Sequence, residues 1–280
     1  MVVNTALSGN QAGPVGSSSG GGAIFTDGGA GGNAFVLLLN TTLSGNSAGQ
    51  GGAIRNGASG GGATVLRLIN CTLSSNSAAG GALMNVGAQM EIGSTLLQRG
   101  TAGSNILNFA ASITSLGFNL SSDDAGGFLT NSTDQINTDP RLGPFQDNGG
   151  PTPTHALLAG SPAVDAGKNL SGVGTDARGL PRTFDDPAIA NAPGGDGTDI
   201  GAYESPELRV MAIDKLGDDL RLSFASVPGR NYELEARTNL VLGAWDPLPG
   251  NLSATGGVTA VTVTNALEQP GQLFRLHQLP

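Results

Sequence analysis

The sequence predicts an all-β protein: a right-handed parallel β-helix followed by a small C-terminal β-sandwich. Three observations predict it. One phrase is written three times, as Asn4-Thr-Ala-Leu-Ser-Gly-Asn10, Asn40-Thr-Thr-Leu-Ser-Gly-Asn46 and Asn70-Cys-Thr-Leu-Ser-Ser-Asn76. Each copy is followed by a second phrase, Gly21-Gly-Ala-Ile24, Gly51-Gly-Ala-Ile54 and Gly80-Gly-Ala-Leu83. After residue 206 the pattern changes to several short strand-like runs separated by turn residues. Fixed-period repetition means stacked, quasi-one-dimensional architecture.

The first segment, 1–104, holds the rungs. Copies start at 4, 40 and 70, and a fainter fourth, Gly93-Ser-Thr-Leu-Leu97, aligns with Asn70-Cys-Thr-Leu-Ser74. The periods are then 36, 30 and 23 residues. The interval from each Gly-Gly phrase to the next Asn phrase is constant, 21 to 40 and 51 to 70. The Gly/Ser-rich excess at 13–22, 28–32 and 59–62 therefore reads as loops bulging from a constant rung. Those loops are where recognition is expected. Each rung carries a β-rich run: Ala34–Leu39, Ala63–Ile69 and, more weakly, Ala88–Ile92. The runs are too short for helices. Parallel crossovers are right-handed in nearly all cases, which sets the expected hand. Ile24, Ile54 and Leu83 should turn inward, and Leu7, Leu43, Leu73 and Leu96 should form a second internal stack.

Asn4, Asn40 and Asn70 should line up at one corner, and Asn10, Asn46 and Asn76 at another. Stacked Asn side chains can hydrogen-bond from rung to rung across about 4.8 Å. The rival role is glycosylation, because Asn40-Thr-Thr and Asn70-Cys-Thr are formal acceptor sequons. Asn4-Thr-Ala and Asn46-Ser-Ala occupy equivalent places and are not sequons, which favours the ladder. Cys71 falls in a column of small residues with Thr5, Thr41 and Ser94. As the only cysteine it forms no internal disulfide.

The second segment, 105–206, reads as last rungs and cap. Pro140, Pro144, Pro151, Pro153 and Pro162 would stop ladder growth. Ala156–Leu158, Ala163-Val164 and Ile200 would supply apolar plugs, and the many Asp residues suit Asx-turns. The third segment, 207–280, contains Leu208–Ile213, Leu220–Phe224, Tyr232–Ala236, Val258–Val263 and Leu273–Leu276, the pattern of a small sandwich. Trp245 is expected in its core, with a sugar-stacking platform as the rival role.

Composition narrows the function. With 22 acidic against 13 basic residues the net charge is -9, and no Lys/Arg cluster exists, so no nucleic acid partner is expected. The longest apolar run is far short of a membrane span. Aromatics are 4% of the chain, low for an enzyme with a deep pocket. Met1 opens no secretory signal, and Val2-Val3-Asn4 enters the repeat mid-rung. The chain is therefore expected to be the C-terminal part of a longer protein.

Three phrases invite chemistry. Asn137-Thr-Asp139 and Asp185-Asp186 could supply the carboxylate pair of a glycosidase, but the chain has only His155 and His277, and no supporting His or Arg-x-Lys phrase follows. Gly194-Gly-Asp-Gly-Thr-Asp199 matches the first six positions of a calcium-binding nonapeptide, making Asp196 and Asp199 calcium candidates. Such sites need tandem copies, and here there is one. No other cofactor and no catalytic residue is expected.

The Leu-x-x-Asn and Gly-Gly-Ala-Ile phrases resemble the polymorphic outer-membrane protein repeats of bacterial autotransporter adhesins, with Leu in place of Phe. The passage 115–204, with Asn137–Pro151, Thr154–Gly167 and Asp199-Ile-Gly-Ala-Tyr-Glu204, resembles the choice-of-anchor Q domain of large bacterial surface and secreted proteins. Ser226–Glu235, Thr238-Asn-Leu240 and Trp245 resemble a fibronectin-III-like module. These resemblances imply a monomeric extracellular or cell-surface β-helix protein, an adhesin, passenger or stalk, whose partner is a surface ligand or glycan. The alternative reading is a polysaccharide-binding or polysaccharide-degrading β-helix protein.

Overall fold

The computed structural model describes residues 1–14, 20–29, 31–186, 189–206, 208, 210–238, 244–248, 250–268 and 271–279. Residues 15–19 and 30 of the expected recognition loops lie outside the described residues, as do Asn239 and Leu240 of the fibronectin-like phrase.

The N-terminal body is a parallel β-helix with three lateral faces. Face one stacks Val2–Val3, Asn33–Leu39, Ala63–Ile69, Gln89–Gly93 and Ser112–Gly117 in that order. Face two stacks Ala6–Ser8, Thr42–Ser44, Thr72–Asn76, Leu96–Arg99 and Leu120–Ser121, and face three Ile24–Asp27, Ile54–Gly57, Leu83–Val86 and Ile106–Phe109. All pairings between rungs are parallel. Alternation on each strand sends one set of side chains inward. The buried core combines Leu38, Leu66, Leu68, Met90 and Ile92 from face one with Leu43, Leu73 and Leu97 from face two. Ile54, Leu83 and Ile106 complete it from face three.

The corner between faces one and two explains the first Asn of each phrase. Asn4, Asn40, Asn70 and Ser94 all have φ between 47° and 50°. That left-handed conformation is one Asn tolerates better than most residues, because its short polar side chain can bond locally. The glycines of the second phrase act through close approach. A Cβ on Gly52 would lie 2.5 Å from the Ser77 amide nitrogen of the next rung, and in the Gly-rich loops one on Gly62 would overlap the Gly28 carbonyl oxygen. The Gly-rich segments around 28 and 62 thus pack against each other.

The fourth copy is shifted by one residue from the expected alignment. Ser94, with φ 48°, is the corner residue equivalent to Asn70, and Thr95 is the neighbour of Cys71, 24 residues on. Leu73 consequently pairs with Leu97, and Thr72 with Leu96. Leu97 continues the inward Leu stack, whereas Leu96 points outward. A slip of one position exchanges the two sides of a strand.

Leu96 faces outward because the chain returns to cover face two. After the last rung, residues 122–139 close the end of the helix. Ala125, Leu129 and Phe128 pack on its core, and Ser121 donates to the Gln135 carbonyl. Residues 140–206 then run back along face two as a strap rather than plugging the end. Leu96 and Leu120 are buried with Ala156, Leu157, Ala163, Ile200 and Tyr203. The expected plugs are a lateral cover.

The C-terminal sandwich has two antiparallel sheets. One orders Val210–Leu216, Asp219–Ala225 and Val258–Val263. In the other, Asn231–Arg237 pairs with Leu273–Gln278 and with the short strands Asp246–Pro247 and Leu252–Ser253. Phe224, Tyr232 and Ala254 form the buried centre, with the Phe224 and Tyr232 rings edge-on at 5.2 Å. Trp245 is not in that core. It is partly exposed, with Arg237 and Arg275 guanidinium groups 4.3 and 4.8 Å from its ring centroid. No helix among the described residues is long and apolar enough to cross a membrane.

Candidate functional site

Several buried Asn side chains of the rungs are joined into ladders. Asn46 Nδ2 donates to Asn76 Oδ1 at 2.8 Å and to the Leu7 carbonyl, while its Oδ1 accepts from Asn10. Asn40 Nδ2 donates to Asn4 Oδ1 and to the Thr175 carbonyl. Asn70 departs from the ladder: its amide donates to the Lys168 carbonyl on the strap. Asn40 and Asn70 are both fully buried, which is incompatible with a glycan on the folded chain. A further ladder runs inside face three, Thr26 to Asn56 to Asn85 to Asn108, with bonds of 2.6, 2.8 and 3.0 Å. Its signal was present in Ile54-Arg-Asn56, Leu83-Met-Asn85 and Ile106-Leu-Asn108.

Two constellations have the residue types of chemistry. His155 Nδ1 lies 2.8 Å from the Gly143 carbonyl, which can only accept, so that nitrogen carries the proton. Nε2 is then the acceptor for Ser44 Oγ at 2.9 Å. This is the polarity of a nucleophile and base. Both residues are only 6% exposed, and burial lowers the His155 pKa. His155 is carried by strand Thr154–Leu157 of the strap, which lays it over Ser44 of face two. The pair pins the strap to the rung.

The second constellation is a buried charge network in the strap. Asp176 accepts the Arg178 Nε at 2.8 Å and the Glu204 amide at 3.1 Å. Arg178 stacks on Tyr203 at 3.8 Å and donates to the Glu204 carbonyl. The Glu204 carboxylate accepts the Phe184 and Asp199 amides, and Arg182 approaches it at 3.7 Å. Asp199 accepts the Asp165 amide at 2.8 Å and the Ser205 amide at 2.6 Å. The strap has few ladder partners for its backbone, so carboxylates satisfy its buried N–H groups. Burial raises Asp165 to about 7, with Asp199 adding repulsion, and raises Asp199 to about 6. Burial also holds Glu204 well above its usual range.

The calcium candidates fall in different surroundings. Asp196 is exposed and accepts the Asn169 and Thr198 amides, whereas Asp199 is fully buried with each oxygen on a backbone N–H. Calcium takes six to eight oxygens, and both carboxylates here already accept backbone N–H groups of the strap. Asp139 is exposed in the end closure and accepts the Arg141 amide.

Face one is left uncovered over much of its width. Its outward columns are Phe35, Val65, Gln89, Ser112 and Leu37, Arg67, Glu91, Thr114. Phe35 is 63% exposed, and Arg67 pairs with Glu91 at 3.2 Å. Five strands spaced by about 4.8 Å make this surface roughly 19 Å long. No protein-family model and no curated protein matches this chain.

Proposed function

We propose that this chain is a non-enzymatic β-helix protein of the bacterial cell surface or extracellular space, an adhesin, passenger or stalk. Its partner is met along face one. The observation that carries the reading is the division of labour among the faces. Face two is sealed by the strap, which consumes the Ser44–His155 pair and the acidic network, while face one keeps Phe35 and Arg67 in solvent. The phrases resembling adhesin repeats and the choice-of-anchor Q domain support the surface location.

The polysaccharide reading keeps one specific support. An exposed aromatic beside a charged pair is how an extended glycan is gripped, by stacking and hydrogen bonds. Binding rather than cleavage is favoured, because Glu91 is the single carboxylate in the outward columns of face one, and glycosidic cleavage by the usual route needs two. A glycan and matrix-protein array probed with the chain and with Phe35→Ala tests this. Binding weakened at least tenfold by the substitution is expected. Failure of every ligand, or binding indifferent to Phe35, would sink the face-one reading, and depolymerisation of any polysaccharide would sink the non-enzymatic one.

A further inference from the structure

We propose that Glu233 and His277, oriented by Glu235, form a binding site for a zinc-type divalent cation on the outer surface of the C-terminal sandwich. Strands Asn231–Arg237 and Leu273–Gln278 are antiparallel, with Glu233 opposite His277 and Glu235 opposite Arg275. Tyr232 and Leu234 are buried in the sandwich, so alternation turns Glu233 and Glu235 to the opposite side. Among the described residues this is the one group of three or more His, Cys, Asp or Glu side chains whose ligand atoms all lie within 4.8 Å of one another.

The three residues are not equivalent. Arg275 grips one Glu235 oxygen through Nε at 2.6 Å and NH2 at 2.5 Å. The same oxygen lies 3.4 Å from His277 Nδ1. Glu235 is thus a clamped carboxylate within 3.4 Å of an imidazole nitrogen that has no hydrogen-bond partner of its own, and closing that gap would give the carboxylate–histidine pairing that orients metal-binding histidines. The other nitrogen, Nε2, faces Glu233 Oε2 at 3.3 Å. Two donors about 3.3 Å apart span one edge of a tetrahedron with bonds of about 2.0–2.1 Å, the zinc geometry. The remaining positions open to water, since the His277 and Glu233 side chains are 39% and 26% exposed. One imidazole and a carboxylate suit zinc, nickel or copper rather than calcium, which prefers an all-oxygen shell.

The chain supplies its own reporters. It has two histidines and one tryptophan. His155 is buried with both nitrogens engaged, so His277 is the accessible imidazole. Trp245 contacts Arg275, the residue that clamps Glu235. The site does not depend on the adhesin reading.

Calorimetric titration of the metal-free chain with Zn²⁺, and quenching of Trp245 by Ni²⁺, test the proposal. One equivalent of Zn²⁺ should bind saturably at sub-millimolar concentration, and Ni²⁺ should quench with the same stoichiometry. His277→Gln should abolish both signals, and Glu235→Gln should weaken Zn²⁺ at least tenfold. Ca²⁺ should give neither signal. Glu233→Gln, on the surface, should weaken binding with an unchanged circular dichroism spectrum, which separates lost ligation from lost folding. Absence of saturable Zn²⁺ binding, or binding unchanged in His277→Gln, would overturn the site and leave a surface ion-pair cluster.

Discussion

Asn46→Ala tests whether the Asn column carries the stability of the solenoid. The Asn46 side chain makes four hydrogen bonds. Its Oδ1 accepts the Asn10 amide at 3.0 Å and Asn10 Nδ2 at 2.9 Å, and its Nδ2 donates to the Leu7 carbonyl at 2.9 Å and to Asn76 Oδ1 at 2.8 Å. Asn46 and Asn76 are fully buried, whereas Asn10 is exposed and its freed groups reach water. Two inner acceptors therefore each lose one donor, although Asn76 Oδ1 keeps the Asn46 backbone N–H at 3.0 Å, so the loss is roughly 1–2 kcal/mol each. The substitution should cost about 2–4 kcal/mol. Asn10→Ala removes one bond made by an exposed side chain and should cost about 0.5–1 kcal/mol. Asn46→Asp is the sharper probe. It keeps the shape but aims an oxygen at two acceptors and buries a charge. It should be worse than alanine at neutral pH and recover partly in acid. Urea unfolding followed by far-ultraviolet circular dichroism reads all three. If Asn46→Ala and Asn10→Ala agree within about 0.5 kcal/mol, or Asp is no worse than Ala, the ladder does not carry this energy.

Three further outcomes follow from the geometry. Cys71 is fully buried and its pKa is pushed up to about 12, so it should resist thiol reagents at pH 8 and label with one equivalent in urea; labelling of the native chain would refute its placement. Leu96→Ala should cost about 2–5 kcal/mol. It should speed hydrogen exchange at Ala202, whose amide bonds Thr72 Oγ1, before exchange at Ile54; uniform acceleration would mean the strap is no separate unit. The pH profile follows from Asp165 near 7 and Asp199 near 6, both raised by burial from 3.8. Between these limits the folded chain holds protons that the unfolded chain has lost. Their stabilisation is complete in acid and is lost as pH rises toward 7, by about 1.4 kcal/mol per pH unit for each proton. Unfolding midpoints should fall between pH 4.5 and 7.5, and Asp199→Asn should flatten the slope; a profile rising with pH would contradict the burial of these groups.

The candidate sites were legible to different degrees. Asn10, Asn46 and Asn76 were readable because the same residue recurs at the same place in each rung. The Thr26-to-Asn108 ladder was equally periodic but hidden beside the Gly-Gly phrases. Ser44 and His155 had no signal, since they lie 111 residues apart. Glu233 and His277 meet only through strand register. Trp245 looked like core by type, yet it lies just before the short strand Asp246–Pro247 with two arginines against its ring.

By itself the sequence determined the rungs, the inward Leu and Ile columns of the first three copies, and the Asn corners. A solenoid contact joins each rung to the next, so every contact repeats with the chain and leaves a period. Only the tertiary structure decided the fourth register, the outward turn of Leu96, and which face is covered. Those depend on the strap returning across face two, joining residues as far apart as Thr72 and Ala202. Such a contact is made once, and a contact made once writes no period.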